Sequence, residues 1–318
     1  MISLQDIREA EGRVAEVINR TCLDHSATFS RLSGNQVYLK PENLQKTGAF
    51  KIRGAANHVL QLDPRKARGG VITPSSGNHG QAVAYAASLA GYPAVVVVPE
   101  DASPAKVAAI KGYGAEVVFY GTTSLERIEK ARELARERGM AFVHSFDDPW
   151  VMAGQGTIGL EILEDLPDVD AVLVPVGGGG LISGIATAIK ESRPKVLVFG
   201  VEPAGSNSMY LSCRAGKATE LKGVNTIADG LRTSRPGELT FPVVQKYVDD
   251  ILLVSEEEIK TALVTLLERG KLLAEPSGAV TVAALLAGKV PLREKKVAAV
   301  ISGGNVDLKL AAELIGEA

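Results

Sequence analysis

The stretch Ala171-Val172-Leu173-Val174-Pro175-Val176-Gly177-Gly178-Gly179-Gly180-Leu181 decides the fold. Six residues without a charge end in four glycines, and a helix-like run then continues to Ile189. A continuous apolar run bounded by a glycine turn and followed by a helix is the pattern of a parallel strand covered on both faces. Val95-Val96-Val97-Val98 repeats it. Working outward, strands are expected at Val37 to Leu39, Val71 to Thr73, Ala94 to Val98, Glu116 to Phe119, Ala171 to Val176, Val196 to Val201, Ile251 to Val254 and Val297 to Ile301. Helical stretches separate them, so the chain reads as an α/β protein of open, mainly parallel sheets flanked by helices. Ile7, Ala10, Val14, Val17 and Ile18 make an opening amphipathic helix from Ser3 to Ile18, capped by the serine. The loop-rich stretch Gly216 to Pro242 reads as a surface connection near the site.

Composition narrows the function classes. The 318 residues are 46% hydrophobic and 23% charged with 33 glycines, which suits one large or two modest domains, two being the working number. A net charge of -2, with basic and acidic residues interspersed, offers no stripe for phosphates, so no nucleic-acid partner is expected. Cys22 and Cys213 are too few for a disulfide framework and lack zinc spacing, which points to a reducing, cytoplasmic setting. No leader-like start and no apolar run of membrane-spanning length is read, so no membrane partner is expected.

Three strand ends carry the chemistry. Gly177, Gly178, Gly179 and Gly180 let backbone N–H groups approach an anion at a helix N-terminus, the alternative being tight packing alone. A dinucleotide fold is the rival, with Glu202 as its ribose-binding acid, but no register gives GxGxxG. Thr73-Pro74-Ser75-Ser76-Gly77-Asn78-His79-Gly80 opens a helix from Gln81 to Ala90 and gathers hydroxyls and an amide in a second pocket, sized for a carboxylate. The ordinary alternative is a serine cap, and His79 reads as a packed or capping residue. Finally, Lys46-Thr47-Gly48-Ala49-Phe50-Lys51-Ile52-Arg53 sets Lys51 after an aromatic residue at a helix start, where a buried amine has reason to lose its proton.

These segments, with Ser302-Gly303-Gly304-Asn305, resemble the fold-type II pyridoxal-phosphate (PLP) enzymes, specifically short threonine or serine dehydratases and serine racemases. The resemblance covers the whole chain. It implies a tryptophan synthase beta-like fold in three segments: a large domain over residues 1–60 and 149–318 around a small mobile domain over residues 61–148. It implies that Lys51 joins PLP with Phe50 beside the ring, that Asn78 meets the phenolic oxygen, and that Gly177 to Gly180 with Leu181 hold the phosphate. Ser302 would face the pyridine nitrogen. The substrate, a small hydroxy amino acid, would rest on Ser75, Ser76, Gly77, Asn78, His79 and Arg127, although Arg127 also reads as a partner of Glu126 or Glu129 on a surface helix.

The activity implied is PLP-dependent dehydration and deamination of L-threonine or L-serine to a 2-oxo acid and ammonia, with Lys51 and Ser76 catalytic. A serine racemase with side dehydratase activity is the alternative, because Ser76 can serve as the proton donor opposite Lys51. An amino-acid-binding protein without turnover is the third class. The resemblance further implies a homodimer or homotetramer, a stand-alone degradative type of enzyme, and a monovalent or divalent cation at Glu202 and Ser206. Ser208 stands where some members carry Asp, which weakens a divalent site. A capped helix following a strand is the other reading of that segment.

Overall fold

The computed structural model describes every residue except Lys66, Glu317 and Ala318. Its strands in chain order are β1 (Asp24–His25), β2 (Gln36–Pro41), β3 (Val71–Thr73), β4 (Ala94–Val98), β5 (Glu116–Phe119), β6 (Ala141–Phe142), β7 (Ala171–Pro175), β8 (Leu197–Pro203), β9 (Asp250–Val254) and β10 (Lys296–Ile301). They form a six-stranded sheet in the order β1-β2-β10-β7-β8-β9 and a four-stranded sheet in the order β5-β4-β3-β6. Every pairing is parallel except that of β1 with β2. The fold is therefore the expected α/β arrangement of two open, mainly parallel sheets flanked by helices. Strands β7 and β10 owe their unbroken apolar sequence to helices on both faces. Val172 and Val174 pack toward helices Pro149–Asp165 and Gly180–Ser192, while Leu173 and Ala299 meet helices Glu256–Thr265 and Pro276–Leu286.

Strand order locates the site. In the large sheet the chain runs outward from β7 to β8 to β9 and then returns to the other side of β7 as β10. In the small sheet it runs from β3 to β4 to β5 and returns beside β3 as β6. Each reversal leaves a crevice at the carboxyl ends of two adjacent strands, the place where open α/β sheets bind ligands.

Three details depart from the sequence expectations. The first helix, Leu4–Val14, has the expected Ser3 cap, completed by Asp6, but it ends at Val14. Val17 and Ile18 turn back on the Val14 carbonyl and pack against the core of the small sheet instead. Strands β1 and β6 were not expected. At two residues each they are too short to show a period, and pairing with a neighbour alone creates them.

A buried charge network fixes the start of helix Lys51–Val59. Arg53 donates from Nε to Glu42 at 2.8 Å and from Nη1 to Glu161 and Thr157 at 2.7 and 3.0 Å. Lys40 Nζ reaches Glu161 at 2.5 Å and also donates to the Thr21 carbonyl, and Thr21 Oγ1 donates to Glu42. Two cations and two carboxylates thus cancel inside the protein, where Lys40, Glu42 and Arg53 have no exposed surface. Burial alone would raise the Glu161 carboxyl, but Arg53 and Lys40 outweigh it and hold the group below its ordinary 4.5. Glu161 therefore stabilises the fold above the ordinary carboxylate range, and that contribution is lost as pH falls through its lowered value. Replacing Glu161 by Ala leaves Lys40 without its carboxylate and two buried cations to share Glu42 alone, and is expected to cost about 3–5 kcal/mol. Denaturant unfolding at neutral pH checks this, and a loss under about 1 kcal/mol, the size of an exposed pair, would contradict it.

Candidate active site

The two crevices face each other across one cavity of about 760 Å³. That volume lies inside the roughly 300–1,000 Å³ common for small-molecule sites. From the large sheet it is lined by Phe50, Lys51, the glycine loop, Leu181 and Ser302, and from the small sheet by Ser75, Ser76, Gly77, Asn78, His79 and Arg127. Every cofactor and substrate residue expected from the sequence thus lines one cavity.

Lys51 opens helix Lys51–Val59, directly after Phe50. The loop before it is tied to the end of β10: Ala49 bridges Gly303, Phe50 N donates to the Ser302 carbonyl at 3.0 Å, and Gly304 N donates to the Gly48 carbonyl. Lys51 Nζ donates to the Ser145 carbonyl at 2.7 Å and lies 5.1 Å from the Phe50 ring centroid. Burial pulls the amine down from 10.5 to about 8, against an opposing pull from Glu275. A lysine in that state supplies free amine near neutral pH, as a nucleophile or base requires.

Two helix N-termini open into the cavity with no side chain capping them. Helix Gly180–Ser192 starts behind Gly179, whose φ of +97° an L side chain rarely adopts. A Cβ on Gly178 would come within 2.5 Å of the Phe146 ring, and one on Gly180 within 2.8 Å of the Phe146 Cα. Helix Asn78–Ala90 starts behind Gly77, and neither Ser75 nor Ser76 caps it. A Cβ on Gly80 would collide with the Ser75 carbonyl, so the loop folds tightly onto the first turn. Unpartnered N–H groups and the positive end of the helix dipole make each terminus receptive to an anion. One lysine of lowered basicity between two anion sites fits a cofactor that carries an aldehyde and a phosphate, with a carboxylate substrate beside it.

The other expected residues are placed as follows. Ser302 is buried, with Oγ 3.4 Å from the Ser277 carbonyl. His79 is buried with Nε2 3.2 Å from the Val143 carbonyl, and burial, reinforced by Lys51, holds it well below 6.5. It is a neutral packed ring. Arg127 makes no ion pair with Glu126, which instead completes the cap of its own helix. The guanidinium donates to the Thr122 carbonyl and Ser124 Oγ, leaving a buried Nε without a partner. Glu202 is fully buried and accepts from the Met209 and Tyr210 N–H groups at 3.0 and 2.8 Å, so it caps helix Ser208–Ala215. Burial pushes its carboxyl up to about 8. Ser206 Oγ donates to the Leu231 carbonyl and Ser208 Oγ to the Thr233 carbonyl.

Sequence reasoning gave no role to Glu275. Its carboxyl accepts from Asn78 Nδ2 at 2.8 Å, while Asn78 Oδ1 accepts from Asn305 Nδ2 at 2.8 Å and Asn305 Nδ2 also donates to the Thr47 carbonyl at 2.7 Å. The chain of amides fixes which face Asn78 presents. Glu275 stands directly before Pro276, the first residue of helix Pro276–Leu286, but its side chain does not cap that helix, and nothing local in the sequence signals its role. Also unread were His144, whose Nδ1 accepts from Asp147 N at 2.8 Å, and Lys106, paired with Asp229 at 2.7 Å across the cavity mouth.

Comparison with known proteins agrees with this geometry. The family described as pyridoxal-phosphate dependent enzyme matches residues 14–303. The L-threonine ammonia-lyase of Thermotoga maritima is 49% identical over 317 residues, covering 100% of this chain and 79% of that protein. The L-threonine dehydratase catabolic TdcB of Escherichia coli K12 is 44% identical, covering 99% of this chain and 96% of that one. Maize serine racemase superposes with a TM-score of 0.95 at 38% identity, covering 99% and 97% of the two chains. The fold and site define a pyridoxal-phosphate enzyme of the dehydratase and racemase type. The chain belongs to the pyridoxal-phosphate dependent enzyme family.

Burial and the nearby Asp229 push the Glu275 carboxyl up from 4.5 to about 8, against opposing pulls from Asn78 and Lys106. A raised folded value means stability that is complete below about 4.5 and lost as pH rises through about 8. The contribution of Lys51 has the other sign, stability rising with pH across the window from about 8 to 10.5. In the cofactor-free protein, Glu275→Gln is therefore expected to flatten the decline of stability between pH 5 and pH 8. Denaturant midpoints across that range test it, and equal slopes in parent and variant would refute it.

Proposed function

We propose that the protein is a PLP-dependent ammonia-lyase that dehydrates and deaminates L-threonine or L-serine to the 2-oxo acid and ammonia. One observation carries the reading: Lys51 Nζ, of lowered basicity, stands in a cavity between two uncapped helix N-termini. The relatives named for threonine deamination support the same activity. Lys51 would hold the cofactor, Phe50 would lie beside its ring, and Gly177 to Gly180 with Leu181 would take its phosphate. Asn78, fixed by Asn305 and Glu275, would meet the phenolic oxygen, and Ser302 the ring nitrogen.

When bound, PLP supplies an electron sink for the pair left at the substrate α-carbon. The chain does the rest. Backbone N–H groups of the Ser75–Asn78 loop, with the Ser75 and Ser76 hydroxyls and His79 lining the same wall, receive the substrate carboxylate, and the unpartnered Nε of Arg127 adds charge at that end. Lys51 Nζ takes the α-proton from one face. The residues 61–148 would close on the remainder and exclude water, and the Lys106–Asp229 pair spans the mouth they would close. The two free cysteines suit a reducing cytoplasm, and no helix among the described residues is long and apolar enough to cross a membrane. The exposed Leu44 and Leu273, joined through Asn43, would be covered in a homodimer or homotetramer. A monovalent or weakly bound divalent cation beside Glu202 and Ser206 rests on the family resemblance alone, because both Glu202 oxygens already accept from the Met209 and Tyr210 N–H groups.

Reduction of the holoenzyme with borohydride followed by peptide mapping is expected to label Lys51. Lys51→Ala should lose the visible absorbance of the bound cofactor and at least 10³-fold in deamination, on the order of 4 kcal/mol of barrier. A label on another lysine would sink the proposal.

The absence of any cap on helix Asn78–Ala90 favours a second activity, because it leaves the Ser76 hydroxyl free of the structural duty it was offered. Serine racemisation beside deamination follows, with Ser76 as donor on the face opposite Lys51. Ser76→Ala is expected to abolish racemisation and D-serine elimination while keeping most L-threonine deamination. Parallel loss of all three would show that Ser76 is structural.

A further inference from the structure

Between the amine of Lys51 and the glycine loop, the cavity wall is aromatic. Phe146 occupies the space left by two missing side chains, with its ring 2.5 Å from the position of a Gly178 Cβ and its backbone 2.8 Å from that of a Gly180 Cβ. The carbonyl just before it, Ser145 O, accepts from Lys51 Nζ. His144 holds the segment in place, its Nδ1 accepting from the N–H groups of Phe146 and Asp147 and its ring standing edge-on to Phe146 at 4.7 Å. Residues 145 and 146 therefore span from the group that works at the α-carbon to the cup that takes the phosphate.

On the lyase reading, the substrate β-carbon is bonded to the α-carbon at Lys51 and would lie between that amine and the glycine loop, along Phe146. A phenyl ring offers no hydrogen bond to a second polar substituent, but it gains by covering a methyl. The other apolar side chains at the loop lie elsewhere on it, Leu231 3.6 Å from the position of a Gly177 Cβ and Met209 2.7 Å from that of a Gly179 Cβ. We infer that Phe146 is the specificity-determining residue of this site: its ring forms the subsite for the β-methyl group, so that L-threonine is preferred over L-serine. The inference rests on the proposed lyase activity and names its substrate.

The test uses holoenzyme of the parent, Phe146→Leu and Phe146→Ala. Deamination kinetics give the threonine to serine ratio of kcat/KM. Titration with L-2-aminobutyrate and L-alanine, read from the visible spectrum, gives the same methyl comparison on ligands that have no hydroxyl to lose. One methyl in an apolar pocket is worth about 10-fold to 200-fold. The parent is expected to favour threonine and 2-aminobutyrate by at least about tenfold, Phe146→Ala to cut both ratios about tenfold, and Phe146→Leu to keep most of them. Should the alanine variant not fold, Phe146→Val is expected to give an intermediate fall. Parent ratios near one, or losses equal for both members of each pair, would overturn the subsite. If no hydroxy amino acid is deaminated but 2-aminobutyrate is still favoured in a Phe146-dependent way, the subsite stands and the lyase activity falls.

Discussion

Arg53 is two residues beyond Lys51, and its guanidinium is shared between Glu42 at the end of β2 and Glu161 in helix Pro149–Asp165. Lys40 completes the set from β2 itself. A helix of nine residues would fray at its first turn if left to itself. Here that turn is clamped from two sides by charges that have no water to turn to. Since Phe50 is also tied to the Ser302 carbonyl, the amine of Lys51 has little freedom left. A buried network of this kind contributes little net stability against an apolar replacement, but removing one member is costly, so it acts as a register for the site.

The rest of the site depends on that register because its parts come from two sheets. The large sheet offers the glycine loop and Ser302 where its strand order reverses between β7 and β10. The small sheet offers Ser75 to Asn78 and His144 to Phe146 where its order reverses between β3 and β6. Direct polar contacts join the two sets at the floor of the cavity, through Lys51 to Ser145 O and through Asn78 to Glu275 and Asn305. Each side therefore carries half of every functional feature: one anion site, and one partner of the amine.

The glycine loop has two physical causes. Gly179 needs a backbone conformation closed to other residues, and helix Gly180–Ser192 gains an open N-terminus from it. Gly178 and Gly180 are small because Phe146 sits where their side chains would be. Tight packing, one of the two alternatives the sequence left, holds for Gly178 and Gly180, while the uncapped helix start behind Gly179 is what the proposed phosphate site would use.

Sequence alone determined the strands that are buried on both faces, because an unbroken apolar run has only one home in an α/β protein; Val71–Thr73 and Ala94–Val98 fall where expected. It also determined the three strand-end motifs, because glycines and hydroxyls at a strand-to-helix turn carry a local meaning that survives without a neighbour. What tertiary structure alone decided is every property that needs a partner distant in the chain. The two-residue strands β1 and β6 exist only as pairings. Glu275 meets Asn78 across 197 positions and Arg53 meets Glu161 across 108, separations over which no local pattern signals a pairing. Charge, burial and hydrogen bonding act through space, and a motif records only those interactions that close within its own length.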